Sequence, residues 1–380
     1  MKKSKLKKVK EFTFDDILLI PQYSKICLED DYKKIDISTK LTKNINLKIP
    51  LVSSPMASVT EWEMAVLMAK MGGIGIIHSF MSKEQQLYQV RKIKQISSDL
   101  LVGVAIHDGW NDLLIHVENL TKEKVDVIVL DTYHAYNKRT LEVVKKLKKK
   151  FKKIQLIVGN VVTKEATEIL CKLGVDGIKV GIGSGSHCTT RLVTGCGRPQ
   201  GTVIYECSNV AKKFKVPIIS DGGIRYSGDI VKAIFLGADT IMIGGLFAGC
   251  DQSPGKIFCF GGKKYKKSFG NCSKEIFLQE KNKGLSWKEN IKKIVKNILD
   301  MKINKKEIED FNFTEEGLSG LVEYKGNCIE IIKDLIKGLK RGMWYLGASN
   351  IRELHKKDEL CFISFSSLEE NFTRNLITNI

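Results

Sequence analysis

The most reactive stretch of the chain is Gly183-Ser184-Gly185-Ser186-His187-Cys188-Thr189-Thr190-Arg191. A cysteine set among glycines and hydroxyls is poorly placed to pack. It is well placed as a nucleophile where its surroundings stabilise the thiolate. The plain alternative is an incidental loop cysteine. Two glycine pairs, Gly222-Gly223 and Gly244-Gly245, offer a second chemistry. With no Cβ in the way, a phosphate can approach their backbone N–H groups, although a glycine pair is also an ordinary turn. Asp221, just before the first pair, brings a carboxylate that can accept two hydrogen bonds from a sugar diol.

These groups need elements that carry them to one place. Short apolar runs recur at 49–53, 73–78, 101–106, 126–131, 154–160, 177–183, 216–223 and 240–245. They are rich in Val and Ile and scarcely alternate, as strands buried on both faces do. Amphipathic stretches at 60–71, 83–96, 111–123, 139–151, 164–174, 202–214 and 227–237 separate them. The alternation predicts an α/β fold with a parallel sheet, and its eight strands suit a closed (β/α)8 TIM barrel. A doubly wound open sheet is the alternative. Barrel chemistry gathers at the C-terminal ends of the strands. Those ends carry Ser53-Ser54-Pro55-Met56, His78, His107, Asp131, Asn160, Gly181 to Ser186, Ser220 to Gly223 and Gly244-Gly245. One polar residue there is usually a turn former or a helix cap. A whole rim of them points to a site. After the last strand comes a long excursion without clear periodicity, 248–324, and then a strong helix at 327–339. An insertion of that size is usually functional.

Composition narrows the classes further. The chain has 380 residues, 43% of them apolar, and 62 Lys and Arg against 43 Asp and Glu, a net charge of +19. That excludes a disordered or collagen-like chain and favours anionic ligands. The 10 cysteines form no CxxC pair and fit no zinc spacing, so they read as reduced thiols of an intracellular, cytoplasmic protein. No apolar run is long enough for a membrane helix. The Lys-rich start, 1–11, reads as a solvated tail, and 12–380 as a single catalytic domain with a flap-like insertion at about 250–325. The basic helix end at 145–153 carries no recognition motif, so a nucleic-acid role is not expected.

These residues resemble a known family. Phe12-Thr13-Phe14-Asp15-Asp16-Ile17-Leu18-Leu19, Ser53-Ser54-Pro55-Met56 and Gly72-Gly73-Ile74-Gly75-Ile76-Ile77-His78 are similar to segments of inosine 5′-monophosphate (IMP) dehydrogenases. So are the cysteine loop, Gly197-Arg198-Pro199-Gln200, Ser220-Asp221-Gly222-Gly223 and Ser253-Pro254-Gly255. GMP reductase, the sister family, shares the cysteine loop. The resemblance implies a (β/α)8 homotetramer. The CBS modules that usually follow the second strand are absent here. It implies that Cys188 attacks C2 of the purine, that hydride passes to NAD, and that water then hydrolyses the thioimidate to xanthosine monophosphate. In this pattern Ser54, Met56, Ser186 and Gly270 contact substrate, Asp221 binds the ribose, and Gly222, Gly223, Gly244 and Gly245 cradle the phosphate. Asp131, Asn160, Gly181 and Gly183 match the nicotinamide side. Potassium would take carbonyls of Gly183, Gly185 and Cys188, with a neighbouring subunit adding carbonyls near Glu370.

The departures from the pattern cluster. Ala57 stands where the family has Asp, Ser268 where it has a phosphate-binding Tyr, and Asn271-Cys272 where it has Met-Gly. The dehydrogenase flap carries an Arg that activates water, yet no Arg lies between Asn271 and Gly317. Thr190 and Glu316 match a pair that relays protons in the reductase. The expected function is therefore IMP oxidation in guanine nucleotide synthesis, slow in its hydrolytic half. A GMP reductase using NADPH and a catalytically impaired purine-nucleotide-binding homologue are the alternatives.

Overall fold

The computed structural model describes residues 11–27, 32–273, 276 and 315–371. The Lys-rich start (1–10) and most of the flap segment (274–275 and 277–314) lie outside the described residues, as do the readings made on them.

Eight strands form a closed parallel barrel: Leu51–Ser53, Ile74–Ile77, Val102–Ile106, Val127–Asp131, Gln155–Val161, Gly177–Val180, Ile218–Asp221 and Thr240–Ile243. The eighth closes on the first through Ile241 opposite Leu51 and Ile243 opposite Ser53. Nearly every strand residue is buried, because one face packs on the helices and the other fills the barrel. The barrel interior is filled by Val52, Ile74, Ile76, Val129, Ile157 and Met242 among others. Leu41 and Leu47, from the hairpin Thr39–Lys40 with Asn46–Leu47, join that interior cluster and plug the N-terminal end. The open end is therefore the one on which the strands finish.

The helices begin where their caps dictate. Ser82 accepts from Gln85 N–H and Gln85 reaches back, a capping box for Lys83–Ile96. Thr163 caps Lys164–Lys172 more simply, its side chain accepting from Ala166 N–H. The last strong helix, Cys328–Tyr345, runs past the expected end at 339. Its glycines, Gly338 and Gly342, stand one turn apart and lie flush against Ser227 and Val231 of the helix Ser227–Phe235. A Cβ on Gly342 would come within 2.6 Å of Val231. These glycines permit close helix contact rather than end the helix.

The excursion after strand eight is more ordered than its sequence suggests. Ile257–Phe260 and Lys263–Phe269 form a hairpin, and Ser319–Glu323 adds a third antiparallel strand. Gly261 and Gly262, both at positive φ (56° and 76°), make the two-residue turn. This sheet brings both ends of the excursion back over the open end of the barrel. Among the described residues no helix is long and apolar enough to cross a membrane.

Candidate active site

The floor of the open end is an ionic triad. Lys179 lies in the middle of strand six and is 4% exposed. Its Nζ is 2.8 Å from Asp131 Oδ1, at the end of strand four, and 2.7 Å from Asp221 Oδ2, at the end of strand seven. Burial alone would depress its pKa, but the two carboxylates outweigh burial and hold it above the usual lysine range. Asn160, at the end of strand five, donates from Nδ2 to the same Asp221 Oδ2 at 2.9 Å. One oxygen of Asp221 is thus saturated and the carboxylate is fixed in orientation. Among the described residues Oδ1 accepts no hydrogen bond, which leaves it open to a diol. Gln200 ties the rim together, donating to the carbonyls of Val180 (3.0 Å) and Asp221 (3.2 Å).

Above this floor stands the cysteine loop. Cys188 N–H donates to the Gly185 carbonyl at 3.0 Å, a tight turn that raises the thiol. Its Sγ lies 3.1 Å from Thr190 Oγ1. Two backbone bonds pin the loop to the returning excursion: Thr189 N–H to the Glu316 carbonyl (2.9 Å) and Leu318 N–H to the His187 carbonyl (2.8 Å). Glu316 N–H in turn donates to the Cys272 carbonyl at 3.2 Å. The nucleophile candidate, Glu316 and the altered 268–272 segment therefore form one backbone-knit wall. Burial, with Glu316 and Cys188 adding to it, pushes the Cys272 thiol up to about 12 against a hydrogen bond to Tyr133. It stays protonated at neutral pH.

The glycine pairs form the opposite end. Among the described residues, none of the N–H groups of Gly222, Gly223, Gly244 and Gly245 donates a hydrogen bond to the protein. A Cβ on Gly222, at φ 94°, would lie 2.5 Å from Ser184 Oγ and 3.0 Å from the Gly185 nitrogen, and one on Gly245 would lie 2.5 Å from Ser186 Oγ, so a side chain at either position would crowd the serine beside it. Met56 Sδ and Ser54 pack beside Gly244. Unshielded N–H groups around a concavity suit an anion.

These parts enclose a cavity of about 460 Å³. Every residue given a catalytic, substrate, nicotinamide or cation role from the sequence lines it, with one exception. Glu370 is exposed, in the turn Glu369–Asn371, and does not line the cavity. His78, read as a rim residue, is buried with its Nε2 3.6 Å from Glu61. Sequence reading missed Lys179, Gln200 and His187. A lysine inside an apolar strand was the available signal for the first, since a buried charge needs partners.

The fit to implied groups can be tested on the same geometry. Beyond Asp131 the cavity extends to Tyr133, Phe80 and His107, flat walls that suit a heteroaromatic ring. Among the described residues no group of three or more His, Cys, Asp and Glu could hold a metal ion. The carbonyls of Gly183 and Cys188 accept no hydrogen bond there, so uncharged oxygens of the kind that replace a monovalent cation's hydration shell are present.

Comparison with known proteins agrees with this architecture. The model of the IMP dehydrogenase / GMP reductase domain matches residues 11–373. The chain is 40% identical to an inosine-5'-monophosphate dehydrogenase of Cryptosporidium parvum, covering 97% of this chain and 96% of that protein. It is 36% identical to the protein of that name from Borreliella burgdorferi, covering 96% and 97%. A third, from Aquifex aeolicus, is 31% identical with 97% and 96% covered. Matched by the family model over residues 11–373 and by these relatives along nearly its whole length, the chain belongs to the IMP dehydrogenase / GMP reductase family.

Proposed function

We propose that the protein oxidises inosine 5′-monophosphate to xanthosine 5′-monophosphate, as a step in guanine nucleotide synthesis, with NAD as the acceptor. The observation that carries this reading is the convergence in one cavity of the Cys188 thiol, the open Oδ1 of Asp221 and the unengaged N–H groups of the two glycine pairs. The glycine N–H groups hold the phosphate and Asp221 Oδ1 takes the ribose diol. The base then lies toward Cys188. The sulfur adds to C2, and its proton leaves through Thr190 Oγ1, 3.1 Å away. Asp131, Tyr133, Phe80 and His107 line the lobe that would hold NAD, which would supply the acceptor for the hydride leaving C2. The product of these steps is a thioimidate on Cys188, which water converts to xanthosine monophosphate and free thiol.

Lys179 fixes Asp131 on the acceptor side and, with Asn160, fixes the orientation of Asp221 on the substrate side. Potassium on the carbonyls of Gly183, Gly185 and Cys188, completed near Glu370 of a neighbouring subunit in a homotetramer, would stiffen the cysteine loop. For the hydrolytic half the chain offers Thr190 and Glu316, with no arginine between residues 271 and 317. Hydrolysis of the adduct is then the slow step.

The same Thr190–Cys188 contact favours a second reading, reduction of GMP with NADPH. One assay separates them: purified protein with IMP and NAD, and separately with GMP and NADPH, followed by nicotinamide absorbance and product identity. NADH and xanthosine monophosphate support oxidation. Loss of NADPH with release of ammonia supports reduction. Nucleotide binding without turnover marks an impaired homologue.

A further inference from the structure

We propose that a hollow at the N-terminal end of the barrel is a second binding site, for a guanine nucleoside triphosphate. Asp239 reads the base and lysines hold the phosphates. The site shares no lining residue with the catalytic cavity and does not depend on the reaction at Cys188.

Three of the even strands start alike. Asp126, Asp176 and Asp239 stand just before strands four, six and eight, and each clamps the strand before its own. Their Oδ2 atoms accept the N–H groups of Val102, Leu156 and Ile218 at 2.8, 2.9 and 2.8 Å. The first two carboxylates are completed by a lysine of the helix that leads into the clamped strand, Lys94 at 2.8 Å and Lys148 at 2.7 Å. Each lysine stands two residues before its helix ends. At the same place in Gln200–Ala211 stands Asn209. Among the described residues Asp239 forms no ion pair and its Oδ1 accepts no hydrogen bond. Burial pushes this carboxyl above the usual range, with His355, the Ile218 N–H and Lys40 opposing.

The missing strut leaves space. A cavity of about 700 Å³ opens there, lined by Asp239, Ser208 and Asn209. Its buried wall is apolar, with Val216, Pro217, Phe235 and Leu236. Tyr205 and Phe362, each about half exposed, offer ring faces. Lys40, Lys212, Lys215, Lys356 and Lys357 also line it, against Asp358 as the one other acid. Among the described residues none of these five lysines is in an ion pair.

These features select a ligand. Five unpaired ammonium groups against two carboxylates call for a net anion. Asp239 Oδ1 calls for an N–H donor in place of the lysine. The aromatic walls suit a flat ring. Guanine meets a carboxylate with two donors, N1–H and the 2-amino group, and its triphosphate meets the lysines. Adenine sets an acceptor, N1, beside its amino group and pairs less well.

The test is calorimetric titration of the full chain with GTP, ATP and inorganic tripolyphosphate. GTP should bind, with ATP and tripolyphosphate at least about 10-fold weaker. Asn209→Lys, at an exposed position, rebuilds the strut and fills the space. It should cut GTP affinity by roughly 30-fold or more even though it adds a positive charge, which a mere lysine patch would not do. Asp239→Asn keeps an acceptor for the Ile218 N–H; it should cost GTP about 10–100-fold and leave tripolyphosphate nearly unchanged. A wild-type protein that binds no GTP overturns the proposal. So does GTP affinity no better than that of ATP or tripolyphosphate, or unchanged GTP binding by folded Asn209→Lys. None of these results bears on the oxidation of IMP, which is assayed separately.

Discussion

Two walls of the cavity are built from different material. The barrel wall consists of strand ends, and closure fixes it. Asp131, Asn160, Lys179 and Asp221 come from four neighbouring strands and lock one another at 2.7–2.9 Å. The facing wall, 268–272 with 315–318, hangs from a three-stranded sheet whose first strand is exposed throughout. It reaches the site by backbone hydrogen bonds to the cysteine loop. The difference separates recognition from turnover. On the proposed reading, the part that recognises a nucleotide is the one fixed by several strands at once. On the proposed reading the covalent adduct is processed against the facing wall, which backbone hydrogen bonds join to the cysteine loop.

The contrast can be broken from either side. Cys188→Ala should abolish turnover, by about 10⁴-fold or more, while calorimetry still finds nucleotide binding. Lys179→Met leaves two carboxylates facing each other near the barrel floor. It should destabilise the fold by about 3–5 kcal/mol, read from denaturant unfolding. Substitution in the facing wall should spare the fold and act on one step. Glu316→Gln should slow decay of the adduct by about 10²–10³-fold in rapid-quench kinetics, with its formation nearly unchanged. The smallest effect concerns the second thiol. Cys272 is pushed up to about 12, so alkylation at pH 7.5 should label Cys188 long before Cys272, as peptide mass mapping would show.

Much of the barrel was legible because its strands are buried on both faces and read as unbroken Val and Ile runs. The barrel side of the candidate cavity was legible for a related reason: its residues recur at equivalent strand ends, whereas Gly270 and Glu316 on the excursion were named only through the family resemblance. Lys179 was not, since a lone lysine in a strand gains its meaning only when Asp221 on the adjacent strand seven and Asp131 on strand four, two strands away, converge on it. The hairpin at Gly261-Gly262 was masked by lysines, although a two-residue glycine turn was there to be read. The length of Cys328–Tyr345 was misjudged because Gly338 and Gly342 serve a partner helix that is distant in sequence.

The central claim is that one thiol, Cys188, bonds to a nucleobase held by the glycine cradle. Its most direct test is mass spectrometry of the protein quenched in acid during reaction with IMP and NAD. The account predicts a nucleotide mass added to the peptide that contains Cys188, with adduct accumulating because hydrolysis is slow. Turnover that proceeds with that peptide unmodified, or a nucleotide found on any other residue, would contradict it.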